Sequence, residues 1–263
     1  MAIVIEVKNS DPCLKSKIRC DALRVIDQFE KLPTAKLLAF FDDEDAPFFR
    51  DKFGPMNRGQ WVGLEDAGSY AICEWPDYIK KDHLYPCGQG TRAFDHVIYL
   101  FGATSTDSAG RVMTFAHELQ HFSQFGLNVQ LWAENYLLLL SMHLPEYEVP
   151  SEHEARIVAK RVARRLCGDE AIDRYLERII AEASSAAESW TDQARQNAAK
   201  CEINNLKFVK NLDCDVPYNL ADETASAFRR LSEHREHLQN VLEVLRNRGA
   251  LFEQVDLQRY CGK

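Results

Sequence analysis

An amphipathic helix is predicted over residues 109–125, because apolar residues recur along one side of that segment. These residues are Val112, Phe115, Leu119 and Phe122. The opposite side carries His117 and His121, which lie one helical turn apart and about 40° apart around the axis. Both imidazoles can therefore reach a single metal ion. Such a helix would pack one face on a core and turn the other toward a cleft.

The two histidines form an HExxH pattern together with Glu118. On a helix Glu118 lies about 60° beyond His121, where its carboxylate can contact a metal-bound water without binding the metal itself. At the His and Glu frequencies of this chain, the pattern is expected by chance on the order of 0.02 times per sequence. The pattern strongly indicates a zinc site but is not sufficient, and an ordinary helical pair of histidines remains the alternative.

The rest of the chain divides into a mixed first part and a helical second part. Strands are predicted over 3–8, 69–75 and 94–102, a helix over 20–32, and either a strand or a short buried helix over 36–41. Residues 42–68 are loop-like. Further helices are predicted over 129–143, 151–167, about 169–198 and 222–248. The fold class is therefore α+β and predominantly helical, with a small N-terminal mixed sheet.

A catalytic zinc ion usually takes three protein ligands and leaves the fourth position for water. The helix predicted to follow Pro150 can supply the third ligand. Its buried face is defined by Ala155, Val158, Ala159, Val162, Ala163 and Leu166. Glu152 falls at the edge of this face and is the preferred ligand. Glu154 points away and fits a capping box, so it is the alternative ligand; His143, His153 or no third ligand also stay open.

The HELQH motif and the later segment P-S-E-H-E-A resemble the gluzincin type of HExxH zinc metallopeptidases. Residues 111–163 are most similar to the ImmA/IrrE-like cytosolic metallopeptidases. The resemblance implies a zincin-like core over residues 1–168. The helices predicted after it form a C-terminal region over 169–263, which is expected to pack on the core or cover it and has no counterpart in the family. It also implies zinc ligands at His117, His121 and Glu152, with Glu118 as the general base.

The function expected from this resemblance is zinc-dependent hydrolysis of peptide bonds, by Glu118-assisted attack of zinc-bound water. Tyr147 and His153 flank the proposed third ligand and are candidate donors to the oxyanion. The strand over 94–102 is expected either at the sheet edge, where it would pair with an extended substrate, or inside the sheet. Two alternatives remain: a regulatory or partner-binding protein with a structural or vestigial zinc site, and a metallohydrolase acting on a non-peptide bond.

Composition and termini limit the partners and the compartment. The formal net charge of −8 makes a nucleic-acid partner unlikely. No secretory signal or membrane-spanning segment is evident, and the eight cysteines have no CxxC spacing. A cytoplasmic protein with reduced, mostly buried thiols is therefore expected. Its expected partner is a protein or peptide substrate, and the C-terminal helices could engage a partner protein.

Two further patterns have structural interpretations. A basic stripe runs along the helix over 151–167, and most such stripes are solvated faces. Its members are Arg156, Lys160, Arg161, Arg164 and Arg165. Leu231, Leu238 and Leu245 recur every seven residues, which favours an intramolecular amphipathic helix over a coiled coil of this length.

Overall fold

A small mixed sheet forms the N-terminal part of the computed structural model, which describes residues 2–42, 59–63, 94–101, 107–247 and 250–261. Its strands are β1 (Ala2–Lys8), β2 (Lys36–Asp42), β3 (Gly59–Gly63) and β4 (His96–Phe101). They lie in the order β1-β2-β4-β3, with β3 antiparallel to β4 and the other neighbours parallel. The mixed sheet is thus confirmed.

The strand predictions hold in part. Residues 3–8 lie in a strand, the strand predicted over 94–102 is observed over His96–Phe101, and residues 36–41 form a strand rather than a helix. The edge position considered for β4 is wrong, because β4 pairs with β2 on one side and β3 on the other. The loop predicted across residues 59–63 is also wrong, since those residues pair with β4. The strand predicted over 69–75 lies outside the described residues.

Most of the described chain is helical. The helices are α1 (Pro12–Ile26), α2 (Ser108–Leu127), α3 (Val129–Ser141), α4 (Pro150–Cys167), α5 (Asp169–Ser189), α6 (Gln193–Asn211), α7 (Leu220–Arg230), α8 (Arg235–Arg246) and α9 (Gln258–Cys261). The single helices predicted over 169–198 and 222–248 are each interrupted, the second by a 3₁₀ turn at Ser232–His234. No helix among the described residues is long and apolar enough to cross a membrane.

One hydrophobic core lies between the sheet and the helices packed against it. It takes in buried side chains of β1, β2, β4, α1, α2, α4, α5 and α6. The apolar stripe predicted for α2 is confirmed, because Val112, Phe115, Leu119 and Phe122 are all at most 1% exposed. On α4, Ala155, Ala159, Val162 and Ala163 are likewise buried. These two stripes turn the remaining faces of α2 and α4 toward each other.

A second core is formed by α3, α7, α8 and the segment that follows α8. Leu231, Leu238 and Leu245 are buried in it, which confirms their intramolecular role. The division of the chain at residue 168 stays a prediction. Apolar side chains on both sides of it share the first core, among them Val162, Ile172 and Leu176.

The start of α4 is held by a residue from another helix. Asn135 of α3 is 1% exposed, and its Oδ1 accepts a hydrogen bond from the backbone N–H of Ser151 at 3.0 Å. Its Nδ2 donates to the Oγ1 of Thr224 on α7. The capping box predicted for Ser151 and Glu154 is therefore wrong: α4 begins one residue earlier, at Pro150, and its N-cap residue makes no side-chain hydrogen bond. Asn135 thereby fixes where the first turn of α4 lies.

Two glycines occupy positions where a side chain would strain the backbone or clash with a neighbour. Gly168 separates α4 from α5 with a φ of 83°, a conformation that other residues rarely adopt. The helix predicted over 109–125 extends to Leu127, so Gly126 lies inside α2. A Cβ atom at position 126 would fall 2.1 Å from Cγ of Pro33, so the absence of a side chain allows this close packing.

The basic stripe of α4 is not a solvated face. Lys160 donates to two backbone carbonyls at 2.8 Å, and Arg161 donates to a third at 2.8 Å. These carbonyls belong to Lys210, Leu212 and Cys214, at the end of α6 and just beyond it. Only the exposed Arg165 fits the expectation in full. The stripe therefore holds the end of α6 against α4, because its side chains donate hydrogen bonds to the carbonyl groups at and just beyond the C-terminus of α6.

The thiols differ from the expectation in their burial. Of the cysteines whose side chains the structure describes, Cys214 is buried, Cys167 is half-buried, and Cys13, Cys20 and Cys201 are exposed. All of these are free thiols.

Candidate metal centre

The facing sides of α2 and α4 bring together two imidazoles and a carboxylate. His117 and His121 project from successive turns of α2, and Glu152 projects from the first turn of α4. One ligand atom from each of these residues lies within 4.8 Å of the others. The side chains are 20%, 13% and 14% exposed, respectively, so the cluster is shielded but still open to solvent. The three predicted ligands therefore meet in space.

The distances within the cluster fit a tetrahedral metal ion. The Nε2 atoms of His117 and His121 are 3.1 Å apart. Glu152 places Oε2 3.5 Å from Nε2 of His117 and Oε1 3.2 Å from Nε2 of His121. With metal–ligand bonds of about 2.0–2.1 Å, tetrahedral geometry requires ligand atoms about 3.3 Å apart. The donor set of two nitrogens and one oxygen is also one that zinc takes in catalytic sites.

The Glu152 carboxylate is held on its far side by Arg156, one turn further along α4. Nη1 of Arg156 donates to Oε2 of Glu152 at 3.0 Å, and Nη2 donates to Oε1 of Glu146. Arg156 is only 7% exposed. Its guanidinium therefore bridges the carboxylate of the cluster and a second carboxylate in the turn before α4.

Glu154, the alternative ligand, is engaged elsewhere. Its Oε2 accepts hydrogen bonds from Nε2 of Gln120 and Nε2 of Gln124, both at 2.9 Å. Gln124 also places Oε1 2.9 Å from Nδ1 of His121. Glu154 thus lies behind His121, two hydrogen bonds away from its Nδ1, and Glu152 faces Nε2 of both histidines directly.

Without a metal, the histidine and the carboxylate stabilise each other's charged form. Burial disfavours protonation of His121, but the Glu152 carboxylate and, more weakly, Glu118 raise the pKa of His121 to about 9. Burial likewise disfavours ionisation of Glu152, but the charge of His121 and hydrogen bonds from both histidines hold its pKa well below the ordinary value. A cation is therefore favoured at this position, whether it is a proton on His121 or a metal ion.

Glu118 lies beside the cluster on α2. It is 7% exposed, and its negative charge contributes to the raised pKa of His121. This places the carboxylate within electrostatic reach of the ligands, although it is not one of the three residues whose ligand atoms converge. The position suits a group that exchanges protons next to the metal.

The two candidate oxyanion donors pack against aromatic residues. The Tyr147 ring stacks on Phe208, with ring centroids 4.9 Å apart. The His153 ring stacks on Tyr218 at 4.9 Å and contacts the edge of Phe208 at 5.1 Å. Burial and the charge of Arg156 lower the pKa of His153. Their role as donors stays a prediction.

Gln124 and Arg156 belong to the surroundings of the site but were not predicted from the sequence. Gln124 lies three residues after His121, a spacing that places it near His121 on α2. That spacing could have predicted the contact between Gln124 and His121. Arg156 was assigned to the basic stripe, although it lies four residues after Glu152, a spacing typical of helical ion pairs that Lys160 and Arg161 lack.

Comparison with known proteins adds no assignment, since no family model, curated protein or solved structure matches this chain. The interpretation of the site therefore depends on its own geometry and chemistry.

Proposed function

We propose that the chain is a zinc-dependent peptidase of the gluzincin type, similar to the ImmA/IrrE-like metallopeptidases. His117, His121 and Glu152 would hold the metal, and Glu118 would act as the general base. The observation that carries the proposal is that an HExxH helix and a second helix bring one ligand atom each from His117, His121 and Glu152 within 4.8 Å of one another. A zincin-like core over residues 1–168 belongs to the same proposal.

A zinc ion in this position supplies Lewis acidity, which polarises a substrate carbonyl and acidifies water. The chain itself supplies the proton transfer. The carboxylate of Glu118 is the base beside the ligands, and it would accept a proton from the attacking water and deliver it to the leaving amine. Since Glu118 is largely shielded from solvent, its charge acts across a medium that screens it less than bulk water does.

The sheet offers an edge for an extended peptide. Strand β3 packs against α2 and pairs with β4 along one side. Within the described ranges, no strand pairs with its other side. An added peptide strand would gain main-chain hydrogen bonds that do not depend on its side chains. This supports a peptide substrate over a small non-peptide one.

The metal part is tested by elemental analysis of the protein purified without added metal. We expect one zinc ion per chain in the wild type, and its loss from His121→Ala and from Glu152→Ala. Glu154→Ala should retain the metal, since Glu154 does not face the cluster. An iron ion in place of zinc would contradict the hydrolase assignment, because two histidines and one carboxylate also bind non-haem iron.

The catalytic part is tested with a library of unstructured peptides, comparing the wild type with Glu118→Gln. The variant should keep its zinc and lose at least about 100-fold in rate, because general-base catalysis contributes 10²–10⁴-fold. Zinc in both proteins without cleavage by either would favour a structural or vestigial site in a partner-binding protein.

A further inference from the structure

Gln124 makes three hydrogen bonds that leave its amide only one orientation. Its Nε2 donates to the backbone carbonyl of Ser151 and to Oε2 of Glu154, each at 2.9 Å. A backbone carbonyl and a carboxylate can accept hydrogen bonds but cannot donate them. Exchanging the amide oxygen and nitrogen would place an oxygen against two other oxygens. The oxygen of Gln124 must therefore lie on its remaining side, where Nδ1 of His121 is 2.9 Å away.

The orientation of Gln124 in turn determines the proton on His121. An amide oxygen can only accept a hydrogen bond, so Nδ1 of His121 has to donate one. In the neutral imidazole the proton then resides on Nδ1, and Nε2 carries the free lone pair. Nε2 is the atom that faces His117 and Glu152. Gln124 is 6% exposed, so water competes weakly for these bonds.

We propose that Gln124 is a positioning residue, which holds His121 in the tautomer and ring orientation that bind metal through Nε2, and that Glu154 and the Ser151 carbonyl hold Gln124 in place. Ser151 belongs to the first turn of α4, the turn that carries Glu152, and Glu154 follows two residues after Glu152. The start of α4 therefore supplies one ligand and fixes the orientation of another. Hydrogen bonds behind the ligands commonly strengthen metal sites in this way.

Gln120 provides a matched control on the same helix. Its Nε2 also donates to Oε2 of Glu154 at 2.9 Å, but the described hydrogen bonds of Gln120 do not include His121. Gln120→Met and Gln124→Met make the same chemical change and both remove a donor from Glu154. They differ because Gln124→Met also removes the acceptor of His121 and the donor to the Ser151 carbonyl. A third protein, combining Gln124→Glu with Glu154→Gln, keeps an oxygen against Nδ1 and lets the new amide at position 154 donate to the carboxylate at position 124, although it loses the hydrogen bond to the Ser151 carbonyl.

The test measures zinc dissociation constants of the full-length proteins by competition with a chelator. Because the role of Gln124 presupposes the proposed metal site, the wild type is measured first. Gln124→Met should bind zinc about 10- to 100-fold more weakly than the wild type. Gln120→Met should match the wild type, and the double variant should bind more tightly than Gln124→Met.

A spectroscopic readout separates positioning from general loss of structure. In ¹H–¹⁵N spectra of the zinc-loaded proteins, the Nδ1–H resonance of His121 should be protected from exchange in the wild type and Gln120→Met, and lost in Gln124→Met. Equal zinc affinity and an unchanged resonance in Gln124→Met would overturn the role of Gln124 and leave the metal site intact. Failure of the wild type to bind zinc would overturn the metal site as well, so the two failures are distinguishable.

Discussion

Nε2 of His121 lies 3.2 Å from Oε1 of Glu152, across the contact between α2 and α4. In the metal-free protein this pair is a partly buried ion pair, and in the proposed metal-bound protein both atoms are ligands of the same ion. The proton on His121 and the metal therefore compete for one position. This competition makes the stability and the metal affinity depend on pH in opposite directions.

The first prediction concerns the stability of the metal-free protein. The pKa of His121 is raised from its ordinary value of 6.5 to about 9 in the folded chain. The protonated imidazole thus contributes stability that is fully present below pH 6.5 and is lost as the pH rises through 9. Urea unfolding in the presence of a chelator should show this decline, and Glu152→Gln should reduce it. An equal decline in both proteins would assign it to other groups.

The second prediction concerns metal affinity. Zinc has to displace the proton from His121 at any pH below its pKa of about 9. Between neutral pH and that value, the association constant should therefore rise about tenfold per pH unit. Calorimetric titration at neutral pH, repeated in buffers of different ionisation enthalpy, should show about one proton released per zinc ion. An affinity independent of pH would contradict the His121–Glu152 pair as the metal position.

The parts of the site that could be predicted are those determined within one helix. The turn geometry of α2 places His117 and His121 together, and the same periodicity places Leu119 in the core. Glu152 was found because it lies at the edge of the buried face of α4, where a third ligand was needed. In each case the 3.6-residue period converts sequence spacing into direction, and no knowledge of the neighbouring helices is required.

The parts that could not be predicted depend on contacts between distant segments. Asn135 caps α4 from another helix, which overrides the local capping signal of Ser151 and Glu154. Strand β3 joins the sheet through antiparallel pairing with β4, a contact between residues more than thirty positions apart. Such pairings follow from tertiary packing, and local propensity does not encode them.

The third prediction tests the close contact between α2 and the segment before β2. Gly126→Ala would place a Cβ atom 2.1 Å from Cγ and 2.4 Å from Cβ of Pro33. The backbone of α2 or of Pro33 must then move, at a cost of about 1–3 kcal/mol. This exceeds the gain of about 1 kcal/mol that alanine brings to a helix. Denaturant unfolding of the metal-free variant should show the net loss.

A second background tests the cause of that loss. In Pro33→Gly protein the clashing atoms are absent, so Gly126→Ala should be neutral or stabilising there. The exposed neighbour Leu127 provides a further reference, since Leu127→Ala removes a side chain that is 60% exposed and should change stability by less than about 0.5 kcal/mol. A loss from Gly126→Ala of the same size in both backgrounds would mean that Pro33 is not its cause.

The fourth prediction concerns Arg156, whose guanidinium joins Glu152 to Glu146. Arg156→Met leaves the shielded Glu152 carboxylate without one of its cationic partners, and removing one member of a buried pair costs about 3–5 kcal/mol. Because Glu152 keeps its contact with His121 and Glu146 is half exposed, the loss should lie at or below the lower end of that range. Arg156→Lys should recover only part of it, since an ammonium group lacks the planar fork that bridges two carboxylates.

Urea unfolding of the metal-free proteins measures these differences, and Arg165→Met is the matched control. Arg165 lies on the same helix but is exposed, so its substitution should change the free energy of unfolding by less than about 0.5 kcal/mol. If Arg156→Met is no less stable than Arg165→Met, the guanidinium bridge does not hold the first turn of α4. In that case the position of Glu152 depends on Asn135, whose Oδ1 accepts a hydrogen bond from the N–H of Ser151. Asn135→Ala should then lower the free energy of unfolding more than Arg156→Met does.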